Sequence, residues 1–476
     1  MFFIFNLVHT SVPLGTSPQP RDPSTGLPLM LLPAITERSV SFQVGELFYR
    51  PASRIIRDLG VLALAVYSAQ RGSESESVRV LDAMSGSGVR SLRYLEEARA
   101  EFVHANDLML NYGDHPLRRN LEPHLKAKRA VLTAQNAVDL YMEAHLSGER
   151  YDLVDCDAFG TGQPHTADAW WAVKHGGLLY LCATDSLATA GANPAKAYVG
   201  YGAVAKYMPA CNEVGLRLLV GTSFREAAAR GLHAQPLFAF FHRPSSSFRV
   251  MMRLRELKAP KSTLVERRLQ HVARCAECGE HWRVPSTRLG EAHTLRRCEH
   301  TADASLAGPM WVGPIHDGEF VSDMAAEAAR RGWAEAAELL GLMEAEASAQ
   351  EGSGVGSGVG SRVGSGVGSG VGSGEGDAHG ALLFYHLGEV QRSLAFAGLR
   401  LPPIDALIKM LHGGGYTAAR SHTEKKANEP LSPICRTPFL PYPTDFILFL
   451  SLSLGAHHIC KPRRNQHSRS SDCRRS

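Results

Sequence analysis

Between residues 41 and 256, short apolar runs alternate with longer stretches of mixed polarity. The stretches 167–174 and 203–219 have the polarity pattern of helices. Strands that alternate with helices predict a parallel sheet with helices on both faces. A last pair of apolar runs, separated by Arg243-Pro-Ser-Ser-Ser247, predicts an antiparallel hairpin. Buried strands are predicted at 79–83, 101–105, 130–133, 151–155, 178–183, 235–241 and 248–254.

The same pattern divides the chain into segments. The part after the α/β region reads as a smaller α+β domain, with helices predicted over 317–345 and 405–411. A near-repeat of Gly-Ser-Gly-Val interrupts this domain, and such a composition predicts a disordered insert. The predicted segments are an irregular or targeting segment at 1–40, the α/β domain at 41–256, the C-terminal domain at 257–350 and 379–426, the insert at 351–378, and a disordered tail at 427–476.

Composition narrows the class of protein. The 476 residues are 44% hydrophobic and 21% charged, which is typical of a globular enzyme with more than one domain. No apolar run reaches the roughly 18 residues of a membrane-spanning helix, so no membrane partner is expected. Cys156, Cys182 and Cys211 lie in apolar or helical runs and predict reduced, buried thiols. The basic end at 461–475 favours the nucleus, with mitochondrion and plastid left open by the N-terminal segment.

Polar and glycine residues follow three predicted strands in order. Asp82, Gly86 and Gly88 follow the first strand, where glycines allow close approach of a ligand to the backbone. Asp107 follows the second strand and suits two ribose hydroxyls, and Asn136 and Ala137 follow the third, where an adenine edge would lie. Each residue alone fits an ordinary turn. The turn lacks the third glycine of the dinucleotide fingerprint, and the chain lacks a phosphate-binding Gly-Lys-Thr motif. A nucleoside cofactor without phosphate, such as S-adenosylmethionine, fits this pattern.

The segment Asp157-Ala-Phe-Gly160 follows the fourth strand, next to the predicted cofactor site. Asp157 is a candidate proton acceptor for a poorly nucleophilic amine of a nucleobase. Phe159 is a candidate ring for stacking on an extruded base. The alternative is a turn residue and a core side chain. The candidate chemistry is methylation of an exocyclic amine.

Several motifs of the chain together resemble those of a known family, the tRNA guanine-26 N2-dimethyltransferases. The motifs that carry the resemblance are Phe48-Tyr-Arg-Pro-Ala-Ser-Arg-Ile-Ile-Arg-Asp58, Leu81-Asp-Ala-Met-Ser-Gly-Ser-Gly-Val-Arg-Ser-Leu-Arg93, Asn106-Asp-Leu108, Ala183-Thr-Asp185, Glu213-Val-Gly-Leu-Arg217, Gly308-Pro-Met-Trp-Val-Gly-Pro-Ile-His316 and Gly415-Tyr-Thr-Ala-Ala-Arg-Ser-His422. The resemblance implies a seven-stranded Rossmann-like class I methyltransferase domain. It also implies transfer of methyl groups from S-adenosylmethionine to the N2 amine of guanine 26 in tRNA, giving N2,N2-dimethylguanosine. Separately, a monomer is expected.

The resemblance also implies roles for particular residues. Asp157 falls on the catalytic acid, and Phe48 and Phe159 fall on two rings that sandwich the guanine. The C-terminal domain would grip tRNA, through a surface around Arg267, Arg268, Arg274 and Trp282. Residues that fall on contacts to S-adenosylmethionine are Arg57, Arg90, Asp107, Asn136 and Ala137.

Three departures from the family pattern keep other functions open. Ala158 replaces a proline, Asn136 replaces an acidic residue and Arg50 replaces an asparagine. These changes favour weaker cofactor binding, and they motivate the alternative of a tRNA-binding paralogue without catalysis. A third alternative keeps N-methylation but changes the substrate.

Cysteine spacing in the C-terminal domain suggests a metal. Cys275 and Cys278 form half of a tetrahedral zinc site, and Cys298 with His300 could complete it. The expectation is a structural zinc ion. A reduced structural cysteine pair and a redox pair are the alternatives.

Overall fold

The computed structural model describes residues 34–72, 77–255, 261–296, 298, 300, 304–351, 382–386, 391, 400–414, 417–423 and 447–451. The strands are β1 Ile35–Glu37, β2 Val40–Phe42, β3 Arg79–Asp82, β4 Phe102–Asn106, β5 Ala130–Thr133, β6 Tyr151–Cys156, β7 Val173–Ala183, β8 His233–His242, β9 Ser247–Arg255, β10 Leu269–Cys275, β11 His281–Val284, β12 Ala304–Trp311, β13 Tyr385–His386, β14 Thr417–Arg420 and β15 Ile447–Ser451.

The helices follow the same chain order. They are α1 Arg54–Arg71, α2 Val89–Glu97, α3 Leu117–Asn120, α4 Glu122–Lys126, α5 Ala137–Ser147, α6 His165–Asp168, α7 Ser186–Thr189, α8 Pro194–Tyr201, α9 Cys211–Ala229, α10 Lys261–Arg268, α11 Gly318–Arg330, α12 Ala334–Glu351 and α13 Ile404–Gly413. Within the described ranges, no helix is both long enough and apolar enough to cross a membrane.

A seven-stranded sheet forms the centre of the protein, in the order β5-β4-β3-β6-β7-β9-β8. Neighbouring strands from β5 to β7 are parallel, and β9 is antiparallel to both β7 and β8. The predicted seven-stranded α/β class and its final hairpin are therefore confirmed. Because β3, β4 and β6 run in parallel, their carboxyl ends meet at one edge of the sheet.

Both faces of this sheet are covered, as the apolar strands require. Val80 and Leu153 belong to the buried cluster that contains α1 and α2, whereas Leu81 and Val154 belong to the cluster that contains α5 and α9. Successive side chains of a strand point to opposite faces. All six residues of β6 are buried, since this strand lies in the middle of the sheet.

The structure corrects several predicted elements. Residues 167–174 are not one helix, because a short helix and a 3₁₀ turn end at Ala172 and β7 already begins at Val173. The predicted helix at 203–219 begins only at Cys211 and continues to Ala229. The predicted helix over 317–345 is two helices, separated by a turn in which Gly332 has φ 69°.

The C-terminal part packs directly on the seven-stranded domain. A three-stranded antiparallel sheet, in the order β11-β10-β12, lies next to α9, and a second one has the order β13-β15-β14. Val272, Ala307 and Met310 belong to the same buried cluster as α9. Helix α11 packs on α1 through Phe320 and Met324. The two parts therefore share a buried cluster on each face of the seven-stranded sheet.

Some sequence predictions concern residues that the structure does not describe. The targeting segment at 1–33, the Gly/Ser/Val insert and almost all of the tail after residue 426 lie outside the described residues. The hairpin β1–β2 begins at Ile35, inside the segment predicted to be irregular. Cys156, Cys182 and Cys211 are buried thiols outside any disulfide, as predicted.

Candidate active site at the carboxyl edge of the sheet

The glycine turn after β3 has a backbone that requires glycine. Gly86 and Gly88 have φ of 53° and 84°, in the left-handed region that glycine adopts without strain. A Cβ on Gly88 would lie 2.5 Å from the Leu117 side chain, so packing excludes a larger residue there. A Cβ on Gly86 would have no described atom within 4 Å. The turn therefore presents open space at Gly86 and is tightly packed at Gly88, where α2 begins.

Asp107 lies directly beside this turn. Its carboxylate accepts hydrogen bonds from the backbone N–H groups of Gly86 at 2.8 Å and Met109 at 2.9 Å. The preceding residue, Asn106, donates its amide to the carbonyl oxygens of Ala83 and Gln135, both at 3.0 Å. Asn106 thereby ties together the ends of β3, β4 and β5. The structure thus brings Gly86 and Asp107 together as a cradle of glycine backbone and carboxylate.

Asn136 and Ala137 lie at the start of α5. The Asn136 side chain accepts a hydrogen bond from the Val138 N–H at 3.0 Å and caps the helix. Ala137 is buried. An asparagine at this position is thus explained by the helix N-terminus. Its amide nitrogen, a hydrogen-bond donor, is not part of that cap.

Asp157 immediately follows β6 and is held by two arginines. Arg90, from α2, donates to one carboxylate oxygen at 2.9 Å, and Arg249, from β9, donates to the other at 2.6 Å. Burial opposes ionisation of Asp157, but these guanidinium groups outweigh it and hold the pKa of the carboxyl well below its usual range. Its side chain remains 30% exposed. Asp157 is therefore an oriented, ionised hydrogen-bond acceptor that a ligand can reach.

Arg90 connects Asp157 to the glycine turn. It also donates to Asp155 at 3.0 Å, and its side chain is only 5% exposed. The sequence predicted a cofactor contact for Arg90, whereas in the structure both of its ion pairs are with carboxylates of the sheet edge. Since α2 starts at the glycine turn, this ion pair fixes the Asp157 loop relative to the cradle.

Two further carboxylates lie beneath the site. Asp82 and Asp155 are fully buried and pair across β3 and β6. Burial, followed by the charge of Asp155, raises the pKa of Asp82 to about 7. Asp82 accepts a hydrogen bond from the Ser91 hydroxyl at 2.6 Å. Three acids face two arginines here, so one proton retained on Asp82 balances the charge. Asp82, which the sequence placed among the cofactor-binding candidates, therefore belongs to a buried network of acids and arginines under the site.

Phe48 and Phe159 come together from distant parts of the sequence. Their ring centroids lie 6.0 Å apart at an interplanar angle of 78°, and the side chains are 69% and 78% exposed. A base stacked between two parallel rings would separate them by about 7 Å. The edge-on arrangement therefore needs a ring rotation before a base can enter, which exposed side chains allow.

The surrounding backbone positions both rings. The Gly160 N–H donates to the Thr184 hydroxyl at 2.7 Å, and the Thr184 N–H donates back to the Gly160 carbonyl at 2.7 Å. Arg57 lies behind the Phe48 segment, where its guanidinium pairs with the buried carboxylate of Glu37. The buried ion pair between Arg57 and Glu37 therefore stabilises the position of the Phe48 segment.

Sequence reasoning missed Arg249 and Thr184 as site residues. Arg249 lies in the apolar run Phe248-Arg-Val-Met-Met252, and its side chain is 6% exposed. A buried arginine needs a partner, so a charge inside a predicted strand was the available signal. The partner itself, 92 positions away, could not be read from the sequence.

The predicted metal ligands also meet. One ligand atom from each of Cys275, Cys278, Cys298 and His300 lies within 4.8 Å of all the others. His300 Nδ1 is buried without a hydrogen-bond partner in the described structure. This donor set fits a tetrahedral zinc ion.

The tRNA-binding surface predicted around Arg267, Arg268, Arg274 and Trp282 is wrong for Trp282. This side chain is buried and donates its Nε1–H to the Ala292 carbonyl.

The sheet order and the cradle define the class of protein. A seven-stranded sheet whose last strand is inserted antiparallel, with a glycine turn after its first central strand, is the class I methyltransferase fold. A family model described as "N2,N2-dimethylguanosine tRNA methyltransferase" matches residues 32–360. The chain belongs to this family, whose members are enzymes that act on tRNA.

Individual relatives agree with the family model. The chain is 28% identical over 321 residues to the tRNA (guanine(26)-N(2))-dimethyltransferase of Methanothermobacter thermautotrophicus, covering 65% of this chain and 80% of that one. It is 30% identical over 295 residues to the enzyme of the same name from Methanopyrus kandleri, covering 62% and 72%.

A solved structure has the same fold. It is the complex of Trm1 from Pyrococcus horikoshii with S-adenosyl-L-methionine, with a TM-score of 0.65 and 23% identity. The match covers 89% of this chain and 97% of that one. The fold likeness therefore extends beyond the seven-stranded domain.

Proposed function

We propose that this protein transfers methyl groups from S-adenosylmethionine to the N2 amine of guanine 26 in tRNA, forming N2,N2-dimethylguanosine. The observation that carries the proposal is the position of Asp157. Asp157 forms an ion pair with Arg90, which belongs to the helix that begins at the glycine turn. It also lies two positions before Phe159, whose ring is exposed. The names of the relatives agree with this substrate.

The cradle suits the methyl donor. Gly86 offers open backbone, and Asp107 offers a carboxylate that can accept hydrogen bonds from ribose hydroxyls. Asn136 and Ala137 would border the adenine, with the Asn136 amide nitrogen as a donor. When bound, S-adenosylmethionine supplies a methyl group on a positively charged sulfur. The site needs no phosphate-binding group, consistent with the Gly-Ser-Gly turn.

Asp157 orients the amine and takes up its proton. An ionised carboxylate accepts a hydrogen bond from one N2–H and directs the nitrogen lone pair toward the methyl donor. The amine becomes strongly acidic as it gains positive charge, so even a carboxylate of lowered pKa can receive the proton. Exposure to solvent at 30% then lets the proton leave.

Phe48 and Phe159 would hold the guanine by stacking on its two faces. Aromatic stacking on an extruded base contributes about 1–3 kcal/mol for each base. Arg50, whose guanidinium lies 5.4 Å from the Phe48 ring centroid, adds positive charge at the entrance. That charge suits the approach of a phosphate backbone.

Zinc and quaternary structure complete the proposal. We assign Cys275, Cys278, Cys298 and His300 as ligands of a structural zinc ion, and the protein is proposed to act as a monomer. Methyl transfer from a sulfonium needs no Lewis acid, so the zinc would stabilise the fold only. Light scattering of the purified full-length chain, with and without tRNA, measures the oligomeric state directly.

The test uses full-length protein, tritiated S-adenosylmethionine and unmodified tRNA transcripts. The wild type should label a transcript with G26 and leave one with A26 unlabelled. Asp157→Asn should lower the rate by about 10²–10⁴-fold, because the proton acceptor is lost. Asp323→Asn, an exposed acid on α11, is the matched control and should keep the wild-type rate. Absence of transfer together with millimolar or undetectable S-adenosylmethionine binding by calorimetry would instead identify a tRNA-binding paralogue without catalysis.

A further inference from the structure

Three fully buried side chains meet far from the glycine turn. They are His316, which follows β12, Glu346 from α12, and His422, which follows β14. Each side chain is 0% exposed. The His316 Nε2 lies 3.1 Å from one oxygen of Glu346, and the His422 Nδ1 lies 2.7 Å from the same oxygen. Two imidazoles and a carboxylate with no access to water form a set of metal-ligand type.

The donor atoms have a number and spacing that suit a metal ion. The His422 Nδ1 lies 2.9 Å from the second oxygen of Glu346, so that both oxygens face the imidazoles. Two imidazole nitrogens and one carboxylate oxygen give three donors, and the second carboxylate oxygen lies close enough to add a weaker fourth contact. In tetrahedral zinc with bonds of about 2.0–2.1 Å, a nitrogen and an oxygen donor lie about 3.3 Å apart. The separations of 3.1 Å and 2.7 Å from the shared oxygen would therefore widen by about 0.2 Å and about 0.6 Å when the ion binds.

The charges around the cluster favour a cation. Glu213 and Arg217 from α9 form an ion pair with both side chains 0% exposed, and Glu213 feels the charge of Glu346. Two carboxylates and one guanidinium leave one negative charge when the imidazoles are neutral. A buried charge without compensation is costly. In addition, the outer ring nitrogens, His316 Nδ1 and His422 Nε2, have no hydrogen-bond partner in the described structure. The two rings are held by polar contacts only on the side that faces Glu346.

We propose that His316, Glu346 and His422 bind a second zinc ion, separate from the cysteine site. The role follows from the chain positions. Glu346 and His422 are 76 positions apart, on either side of the Gly/Ser/Val stretch. An ion that closes so long a loop restricts the unfolded chain strongly and holds β14 against the enzyme core. Phe240 of β8 lies beside His422, with ring centroids 6.1 Å apart, so the ion joins the C-terminal segment to the seven-stranded sheet.

The test counts metal in full-length protein purified without chelator, using inductively coupled plasma mass spectrometry. The wild type should hold two zinc equivalents. Cys278→Ser should hold one, His316→Gln should hold one, and the double variant none. The control His412→Gln replaces an exposed histidine of α13 and should keep two equivalents. Wild-type protein with a single equivalent that Cys278→Ser removes and His316→Gln leaves would overturn the proposal.

A second measurement does not depend on the histidine variant folding. Cys278→Ser protein loaded with Co²⁺ should show visible d–d absorption without a thiolate charge-transfer band. Zinc-edge X-ray absorption of the same variant should show a first shell of nitrogen and oxygen only. Absence of bound metal, or metal held only at the remaining Cys275 and Cys298 with no separate site of nitrogen and oxygen ligands, would mean that the three side chains form a hydrogen-bonded cluster without an ion.

Discussion

At the residue scale, the site depends on how one carboxylate is held. Asp157 could be located from the sequence because it follows an apolar run and precedes an aromatic residue. Its electrostatic state could not, since Arg90 and Arg249 are 67 and 92 positions away. Likewise, the contact between the exposed rings of Phe48 and Phe159 could not be predicted, because the two residues lie far apart in the sequence. Residue types at strand ends are local information, whereas ion pairs and ring contacts are set by packing.

Arg249 should set the pH dependence of the reaction. Its guanidinium lowers the pKa of Asp157, so Arg249→Met should raise that pKa and keep the carboxyl protonated up to a higher pH than in the wild type. The acid limb of the kcat/KM profile should therefore move to higher pH, and Arg249→Lys should move it less. Arg253→Met is a control on the same strand, since Arg253 donates to the Gly176 carbonyl instead. An unshifted acid limb in Arg249→Met would contradict this role.

At the scale of elements, strand and helix identity followed the apolar pattern, but boundaries did not. Strand β7 begins five positions before the predicted start at 178, with a register irregularity opposite β6. The pair Gly176-Gly177 inside it resembles a turn in the sequence. The segment 203–210 is irregular chain, in which Ala203, Ala205, Met208 and Ala210 are buried and Val204 bridges to Gly308. In this segment, burial of apolar side chains did not require a helix or a strand.

The two glycines of the turn should respond differently to alanine. Gly86→Ala adds a methyl group in the open space of the proposed cofactor cradle, so it should weaken S-adenosylmethionine binding and cost about 1–2 kcal/mol of backbone strain. Gly88→Ala adds a clash with Leu117 to the same strain, so it should lower the free energy of unfolding more. Calorimetry and urea unfolding measure the two effects. Equal losses of affinity and stability in both variants would contradict the division of roles.

At the scale of the whole molecule, the seven-stranded domain and the C-terminal part contribute to the same buried clusters. The sequence predicts a boundary between two domains near residue 257, and that division stays a prediction. A sequence reports where composition changes, but it does not report which apolar faces meet. We expect a single unfolding transition by both circular dichroism and tryptophan fluorescence, because a shared core couples the two parts.

The buried acids should make stability depend on pH. Asp82 has a pKa raised to about 7, so the folded protein binds a proton that the unfolded chain releases at lower pH. Its contribution is therefore present below the ordinary aspartate pKa and is lost as pH rises toward 7. The unfolding free energy of Asp82→Asn should fall less than that of the wild type between pH 5 and 8. Parallel pH profiles from urea titrations would count against a retained proton on Asp82.

We propose above all that Asp157 and the Phe159 ring form a guanine N2 site beside the cofactor cradle. The most direct measurement is mass spectrometry of nucleosides from a G26 tRNA transcript after incubation with full-length protein and S-adenosylmethionine. The wild type should form N2-methylguanosine and then N2,N2-dimethylguanosine, and Asp157→Asn should form both at least about 10²-fold more slowly. Guanosine that stays unmodified with wild type, or equal product from Asp157→Asn, would contradict this proposal.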